Sequence, residues 1–390
     1  MNIRELRNMF PALSRTVYGK QLVYFDNAAT AQRPQSVIDK WTQLTIGANA
    51  NIHRAIHKLA VDATDEYEST RDAVKEYINA AAREEIVFTS GTTGSINLVA
   101  FSFGETFVNE GDEIIVSESE HHSNIVPWQM LCQRKGAVLR VLHVDEDGHL
   151  NLEELKSLLN PKTRIVAVTQ ISNVLGILNP VKEIVSACHS AGCPVLIDGA
   201  QGMVHEGVDV QDVDCDFYAF SGHKLYAATG TGVLYGKRKW LDQMVPYQGG
   251  GEMIATVRFS GTTYAPLPEK FEAGTQNINA IPTLEPAIEM LKLMKDKELL
   301  NAQEAVSQYL LHALTSNARI RLYGVPRGTE TKIPLFSFSV EGAHHEDLAL
   351  ILDKMGIAVR SGQMCAEPLM DRFGAVSYTH LRAHETRHDL

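Results

Sequence analysis

An apolar run, Phe217-Tyr218-Ala219-Phe220, leads directly into Ser221-Gly222-His223-Lys224 and so carries a lysine to the end of a strand. Most lysines are solvated surface charges. A partly desolvated amine loses proton affinity and becomes nucleophilic toward an aldehyde; Lys224 has that setting, with Ser221 and His223 beside it as phosphate partners. Upstream, Pro194-Val195-Leu196-Ile197 ends in Asp198-Gly199-Ala200-Gln201, placing a carboxylate at a strand mouth. An acid there can keep a pyridine nitrogen protonated, although an Asp so placed is more often a helix cap or turn former.

Two further groups have the same relation to a strand. The run Val87-Phe88-Thr89-Ser90-Gly91-Thr92-Thr93 leaves a strand, turns at Gly91 and opens a helix through Ile96-Asn97-Leu98-Val99. Backbone N–H groups, the Thr92 and Thr93 hydroxyls and the helix dipole then converge on one point, which makes an anion cradle; an ordinary hydroxyl cap is the competing reading. His121 and His122 follow the strand Ile114-Ile115-Val116 and offer an imidazole face or an acid–base group. Anion cradle, histidine, carboxylate and lysine together are what a pyridoxal phosphate (PLP) site requires.

The elements that must position these groups read as an α/β fold. Strand patterns at 85–89, 113–117, 138–144, 164–170, 194–198, 216–220 and 232–235 alternate with helical patterns, as in a mainly parallel seven-stranded sheet, and ligands collect beyond the carboxyl ends of such strands. After Trp240 the chain turns Gly-rich and irregular, then helical over 281–316, then alternates again (333–340, a helix over 345–355, 357–360) as a smaller α+β domain would. The expected division is an N-terminal segment (1–15) packing with the small domain, a large cofactor domain (16–265), a truncated small domain (266–376) and an atypical tail (377–390).

Composition is that of a soluble globular chain, 44% hydrophobic and 21% charged. A net charge of −11 disfavours nucleic acid. Five cysteines without a C-x-x-C pair imply neither a disulfide framework nor a zinc knuckle. The charged N-terminus argues against a signal peptide, and no apolar run approaches the roughly 20 residues a membrane span needs, so the expected location is the cytoplasm.

With these residues the chain resembles the class V aminotransferase-like family of fold-type I PLP enzymes, and within it the SufS-type cysteine desulfurases. The matching segments, in order, are Phe25-Asp26-Asn27-Ala28-Ala29-Thr30, His53-Arg54-Ala55-Ile56-His57, Glu120-His121-His122-Ser123-Asn124, Ser172-Asn173-Val174-Leu175-Gly176, Asp198-Gly199-Ala200-Gln201, Ser221-Gly222-His223-Lys224, Glu272-Ala273-Gly274-Thr275 and Arg360-Ser361-Gly362-Gln363-Met364-Cys365-Ala366. The resemblance implies Lys224 as the Schiff-base lysine, Asp198 on the pyridinium nitrogen, Gln201 on the phenolic oxygen and His121 stacked on the ring. Thr92, Thr93, Ser221 and His223 would hold the phosphate, Thr275 would reach it from the neighbouring subunit of a homodimer, and Asn173 and Arg360 would bind the amino acid.

Cys365 would be the sulfur acceptor: its thiolate takes sulfur from L-cysteine, leaving alanine and an enzyme persulfide that passes to an acceptor protein of the SufE or SufU type for iron–sulfur cluster assembly. A thiol near Ser361 and Gly362 after a short strand is expected to be exposed and mobile. The other cysteines read as small buried hydrophobes. Selenocysteine lyase shares this site and stands as the alternative activity; a PLP-binding but nearly inactive homologue is another.

Two departures accompany the resemblance. Gln363-Met364 stand where many relatives have two histidines. After Val376 the family continues through an arginine that pairs with the substrate carboxylate, whereas this chain reads Ser377-Tyr378-Thr379-His380-Leu381-Arg382, and Arg382 is not assigned that role. The tail also contains His384-Glu385-Thr386-Arg387-His388, a match to the zinc-protease pattern H-E-x-x-H. That pattern needs an apolar core helix and a third ligand, so no metal is expected here.

Overall fold

The structure is a computed structural model that describes residues 2–295, 297–328, 332–375 and 377–382. At its centre lie β1 (Ile86–Thr89), β2 (Glu113–Ser117), β3 (Val138–Leu142), β4 (Thr163–Thr169), β5 (Val195–Asp198), β6 (Phe217–Ser221) and β7 (Gly232–Gly236), in the order β1-β7-β6-β5-β4-β2-β3. Neighbours from β6 through to β3 run parallel. Only β7 runs antiparallel to its partners, β1 and β6. This is the α/β, mainly parallel seven-stranded sheet that the sequence pattern implies.

Successive residues of a strand face opposite sides, so a sheet covered on both faces needs unbroken apolar strands. In β4, Ile165 and Ala167 enter one apolar core with Ile114, Leu196 and Phe217, while Val166 and Val168 enter another with Ile115, Ile197 and Tyr218. All five residues of β6 and all four of β5 are buried. That double burial is why their last residues, Ser221 and Asp198, emerge at defined points.

The inserted strand β7 draws two chemical groups together. Gly232 pairs with Thr89 on one side and Ser221 on the other. A Cβ at Gly232 would lie 2.3 Å from the Cα of Gly91, so only glycine admits this approach of two backbones. The turn into α2 (Thr92–Phe107), which follows α1 (Lys58–Tyr77), is thereby set against the end of β6.

The helical segment expected over 281–316 is two helices, Leu284–Met294 and Lys297–Thr315, preceded by a tight turn at Ile281–Thr283. No described helix is long and apolar enough to cross a membrane. The N-terminal segment, expected against the small domain, buries Leu6, Phe10 and Leu13 in the same core as the large sheet, and the Phe10 and Tyr226 rings lie 5.5 Å apart. Pairing across to the C-terminal part begins further on, where Val23–Tyr24 runs parallel to Ile357–Ala358.

A second, antiparallel sheet is built from β8 (Ile320–Tyr323), β9 (Leu335–Val340), β10 (Arg360–Gly362) and β11 (Tyr378–Arg382), in the order β8-β9-β11-β10. Within the stretch set apart as an atypical tail (377–390), residues 378–382 are an inner strand of this sheet. Tyr378, Thr379, His380 and Leu381 are all buried, so this stretch is held by pairing on both edges and by burial, although its identities depart from the family pattern. The H-E-x-x-H match at 384–388 lies outside the described residues.

Candidate active site

The carboxyl ends of β1, β2, β4, β5 and β6 converge on a cavity of about 460 Å³. Lys224, His121, Thr92, Thr93, Asn173, Asp198, Gln201, Ser221, His223, Arg360 and Cys365 all line it. Thr275 stands elsewhere, in a second cavity of about 250 Å³ with Tyr247 and Gln276, and His122 is not among the lining residues, its Nε2 lying 3.2 Å from Glu367.

The anion cradle is organised by Ser221. Its Oγ accepts from the Thr92 N–H at 2.7 Å and lies 2.7 Å from Thr92 Oγ1. Gly91, at φ 145°, makes the turn that aims these groups inward. His223 Nδ1 lies 3.2 Å from Thr30 Oγ1. Burial, with the charges of Lys224 and Arg33, lowers His223 to about 4, so its imidazole is neutral at physiological pH.

Asp198 is buried, and its Oδ1 accepts from the Ala200 N–H at 2.9 Å. Burial pushes its carboxyl above the usual range, against that hydrogen bond and the Lys224 charge. Gln201 donates to the Ala28 carbonyl at 2.9 Å, which fixes its amide at the cavity wall. His121 Nδ1 is held at 2.8 Å from Ser123 Oγ and accepts from the Ser123 N–H at 3.1 Å. Burial, then Lys224 and His122, lower His121 to about 4. Its ring enters the cavity as a neutral base.

Sequence reasoning passed over Glu120, which is wholly buried. Its oxygens accept from the Thr169 N–H at 2.8 Å and from Asn124 Nδ2 at 2.7 Å, with Ser117 Oγ as a further partner. Burial raises its pKa to about 8 against the bonds from Ser117 and Asn124, and the nearby Asp198 adds to the rise. It ties the His121 loop to the end of β4, where Thr169 pairs with Asp198. The only hint in the sequence was its place directly before His121.

The Cys365 loop is anchored more firmly than the expectation of a mobile segment implies. The His122 N–H donates to the Cys365 carbonyl at 2.8 Å, and Asn173 Nδ2 donates to the Met364 carbonyl at 2.8 Å. Met364 and Cys365 both take left-handed backbone conformations, at φ 53° and 55°. The thiol itself is exposed, whereas Cys132, Cys188, Cys193 and Cys215 are buried. Burial raises all four of those thiols, Cys188 to about 12, so they are poor nucleophiles. Arg360 forms a two-pronged pair with Asp26, Nε to Oδ1 at 2.9 Å and Nη2 to Oδ2 at 3.0 Å. Asp26 was present in a matched segment but carried no assigned role.

These groups suit PLP on their chemistry. A buried carboxylate beside an amine is a partner for a protonated ring nitrogen, and N–H groups with hydroxyls at a helix start suit a phosphate. The class V aminotransferase family model matches residues 23–383. The chain belongs to the class V aminotransferase family. Enzymes of this family use PLP, and PLP is this chain's cofactor.

Among class V relatives, a cysteine desulfurase of Pectobacterium atrosepticum is 46% identical over 391 residues, spanning 100% of this chain and 95% of that protein. One from Shigella sonnei is 46% identical over 370 residues, spanning 95% of this chain and 90% of the relative. Among solved structures, the Escherichia coli cysteine desulfurase CsdA in an S-sulfonic acid form superposes with a TM-score of 0.88 at 37% identity, covering 100% of this chain and 95% of that one. The apo cysteine desulfurase of Thermococcus onnurineus NA1 gives a TM-score of 0.91 at 34% identity over the same shares.

Proposed function

We infer that this protein is a PLP-dependent cysteine desulfurase, which converts L-cysteine to L-alanine and retains the sulfur as a persulfide on Cys365. The observation that carries the reading is that Cys365, the one exposed thiol of five, lines the same cavity as Lys224 and Asp198. When bound, PLP supplies an electron sink for the substrate's Cα and Cβ. Asp198 would keep the ring nitrogen protonated, and the Thr92, Thr93, Ser221 and His223 groups would hold the phosphate. Lys224 would anchor the cofactor, and its amine is placed to move the Cα proton as a base.

Cys365 acts on the substrate sulfur as a thiolate. The new S–S bond forms as the Cβ–S bond breaks, the electron pair of that bond stays with the carbon fragment, and protonation at Cβ completes alanine. His121, neutral at physiological pH, can take up and return a proton at the cavity wall. The loop bonds from His122 and Asn173 hold Cys365 at the cavity mouth, where an acceptor protein has access to its sulfur.

The wider reading is a cytoplasmic homodimer in which Thr275 reaches the partner's phosphate site, delivering sulfur to an acceptor of the SufE or SufU type for iron–sulfur cluster assembly. Alanine and persulfide are expected to form from L-cysteine in equal amounts on the first turnover. Cys365→Ala should abolish both while preserving the cofactor's absorbance. Undiminished alanine release by that variant would refute the reading.

A further inference from the structure

We propose that Arg33 is the counter-charge of the cofactor phosphate, a positioning residue that acts from behind Thr229 and His223. The inference rests on the PLP site and is independent of which amino acid the enzyme converts.

The cradle itself lacks a cation. A phosphate monoester carries a charge of about −1.5 to −2 at neutral pH. Thr92, Thr93 and Ser221 offer it neutral hydroxyls and N–H groups, and the His223 imidazole is neutral. The start of α2 adds only about half a positive charge. Of the lysines and arginines lining the cavity, Lys224 is placed for the cofactor's aldehyde and Arg360 is engaged with Asp26.

Arg33 has the opposite deficit. It is half-buried, its Nε is buried without a hydrogen-bond partner, and it forms no ion pair among the described residues. Its Nη2 donates to Thr229 Oγ1 at 2.5 Å, and Thr229 lines the cavity. The segment leading to it is strapped onto the same edge: the Ala31 N–H donates to the His223 carbonyl at 3.0 Å, and Thr30 Oγ1 lies 3.2 Å from His223 Nδ1. The guanidinium charge is felt at His223, where it adds to the burial that keeps the ring neutral.

A partly desolvated cation without a carboxylate and a phosphate cradle without a cation complete each other. Arg33 does not itself line the cavity, so its effect passes through its neighbours. By donating to Thr229 Oγ1 it leaves the threonine's own O–H to donate in turn, polarised by the charge behind it. An opposite charge within about 4–6 Å favours an ionised group by one to three powers of ten; acting from behind Thr229, Arg33 should contribute at the lower end, about tenfold.

The test reconstitutes the cofactor-stripped full chain with PLP or with pyridoxal, which lacks only the phosphate. Dissociation constants are read from cofactor absorbance near neutral pH for the parent, Arg33→Gln and Arg33→Lys. Glutamine keeps a donor for Thr229 and removes the charge; lysine keeps the charge. PLP affinity should fall about tenfold in Arg33→Gln and stay close to the parent's in Arg33→Lys, while pyridoxal binds all three proteins alike. Phosphorus NMR of the PLP-loaded proteins reads the charge directly. A phosphate monoester ordinarily gains its second negative charge near about pH 6, and in Arg33→Gln that titration should lie about one pH unit above the parent's. Equal losses for PLP and pyridoxal would make Arg33 a purely structural residue and overturn the proposal. An unchanged PLP affinity or an unshifted phosphorus titration in Arg33→Gln would overturn it as well. None of these readouts involves turnover of L-cysteine, so failure of the desulfurase reading leaves them intact.

Discussion

Glu272 is the place to test how the protein holds its cofactor cradle together. Its carboxylate is buried and accepts from Arg71 Nη1 at 2.7 Å, Arg71 Nη2 at 3.0 Å, the Phe88 N–H at 2.7 Å and the Tyr67 hydroxyl at 3.2 Å. The side chains of Arg71 and Glu272 are 1% and 2% exposed. One carboxylate thus clamps α1, through Tyr67 and Arg71, to β1 just before the Thr92 turn, and opens the segment that carries Thr275.

Removing the charge with Glu272→Gln leaves Arg71 buried with Glu68 at 3.1 and 3.2 Å and the Ile86 carbonyl at 2.8 Å, and turns an amide N–H₂ toward groups that donate. Breaking one side of a buried pair costs about 3–5 kcal/mol. Because Glu68 still neutralises part of the guanidinium charge, the lower half of that range is expected. With a urea slope of about 3 kcal/mol/M, the unfolding midpoint of the cofactor-stripped protein should drop by roughly 1 M.

Arg71→Met should cost a similar amount, and the double variant much less than the sum, since an apolar replacement leaves no stranded charge. Circular dichroism through a urea titration gives all four corners of this cycle. Single-variant costs below about 1 kcal/mol that simply add would refute the reasoning, because they would mean that the pair is not carrying buried charge.

Three further outcomes follow from the geometry. Gly232→Ala should weaken PLP binding at least tenfold, measured by cofactor release on dilution, because its Cβ would meet the Gly91 backbone at 2.3 Å and displace the Thr92 turn. Glu120, raised to about 8 mainly by burial, is protonated in the native state where the unfolded chain is ionised, so its contribution to stability is present below about pH 4.5 and is lost as pH rises toward 8; the pH slope of the unfolding midpoint across this window should flatten in Glu120→Gln, and an unchanged slope would count against a buried neutral acid. His121 and His223 run the other way: both are lowered to about 4, by burial first, so the unfolded chain takes up protons that the native state does not between about pH 6.5 and pH 4. Cofactor-stripped protein should lose stability as pH falls through that window, and His121→Gln with His223→Gln should reduce the slope.

The sequence by itself determined the fold class and the four strand-end groups. Lys224, Asp198, His121 and the Thr92–Thr93 turn were readable because each depends on a local pattern, an apolar run followed at once by a polar or glycine-containing turn, and a parallel sheet sends such ends to one edge. It also set Cys365 apart from four thiols in apolar surroundings. Tertiary structure alone decided what joins these pieces. The antiparallel insertion of β7, which brings Gly91 against Gly232, depends on pairing that no local pattern specifies. The Asp26 partner of Arg360 is 334 residues away in the chain, and the Glu272 partner of Arg71 is 201 residues away, so neither pair has a signature in spacing.

His380 shows the same division most directly. Its segment departs from the residue identities that the resemblance leads one to expect, yet a short strand is held by two neighbouring edges and by burial on a pleated surface, and these act whatever the identities. Once Tyr378–Arg382 pairs between β9 and β10, the period of two residues turns His380 toward the cavity beside Arg360. Residue types marked Lys224 and Cys365 as candidates in the chain; only the pairing of distant strands set His380 opposite Arg360.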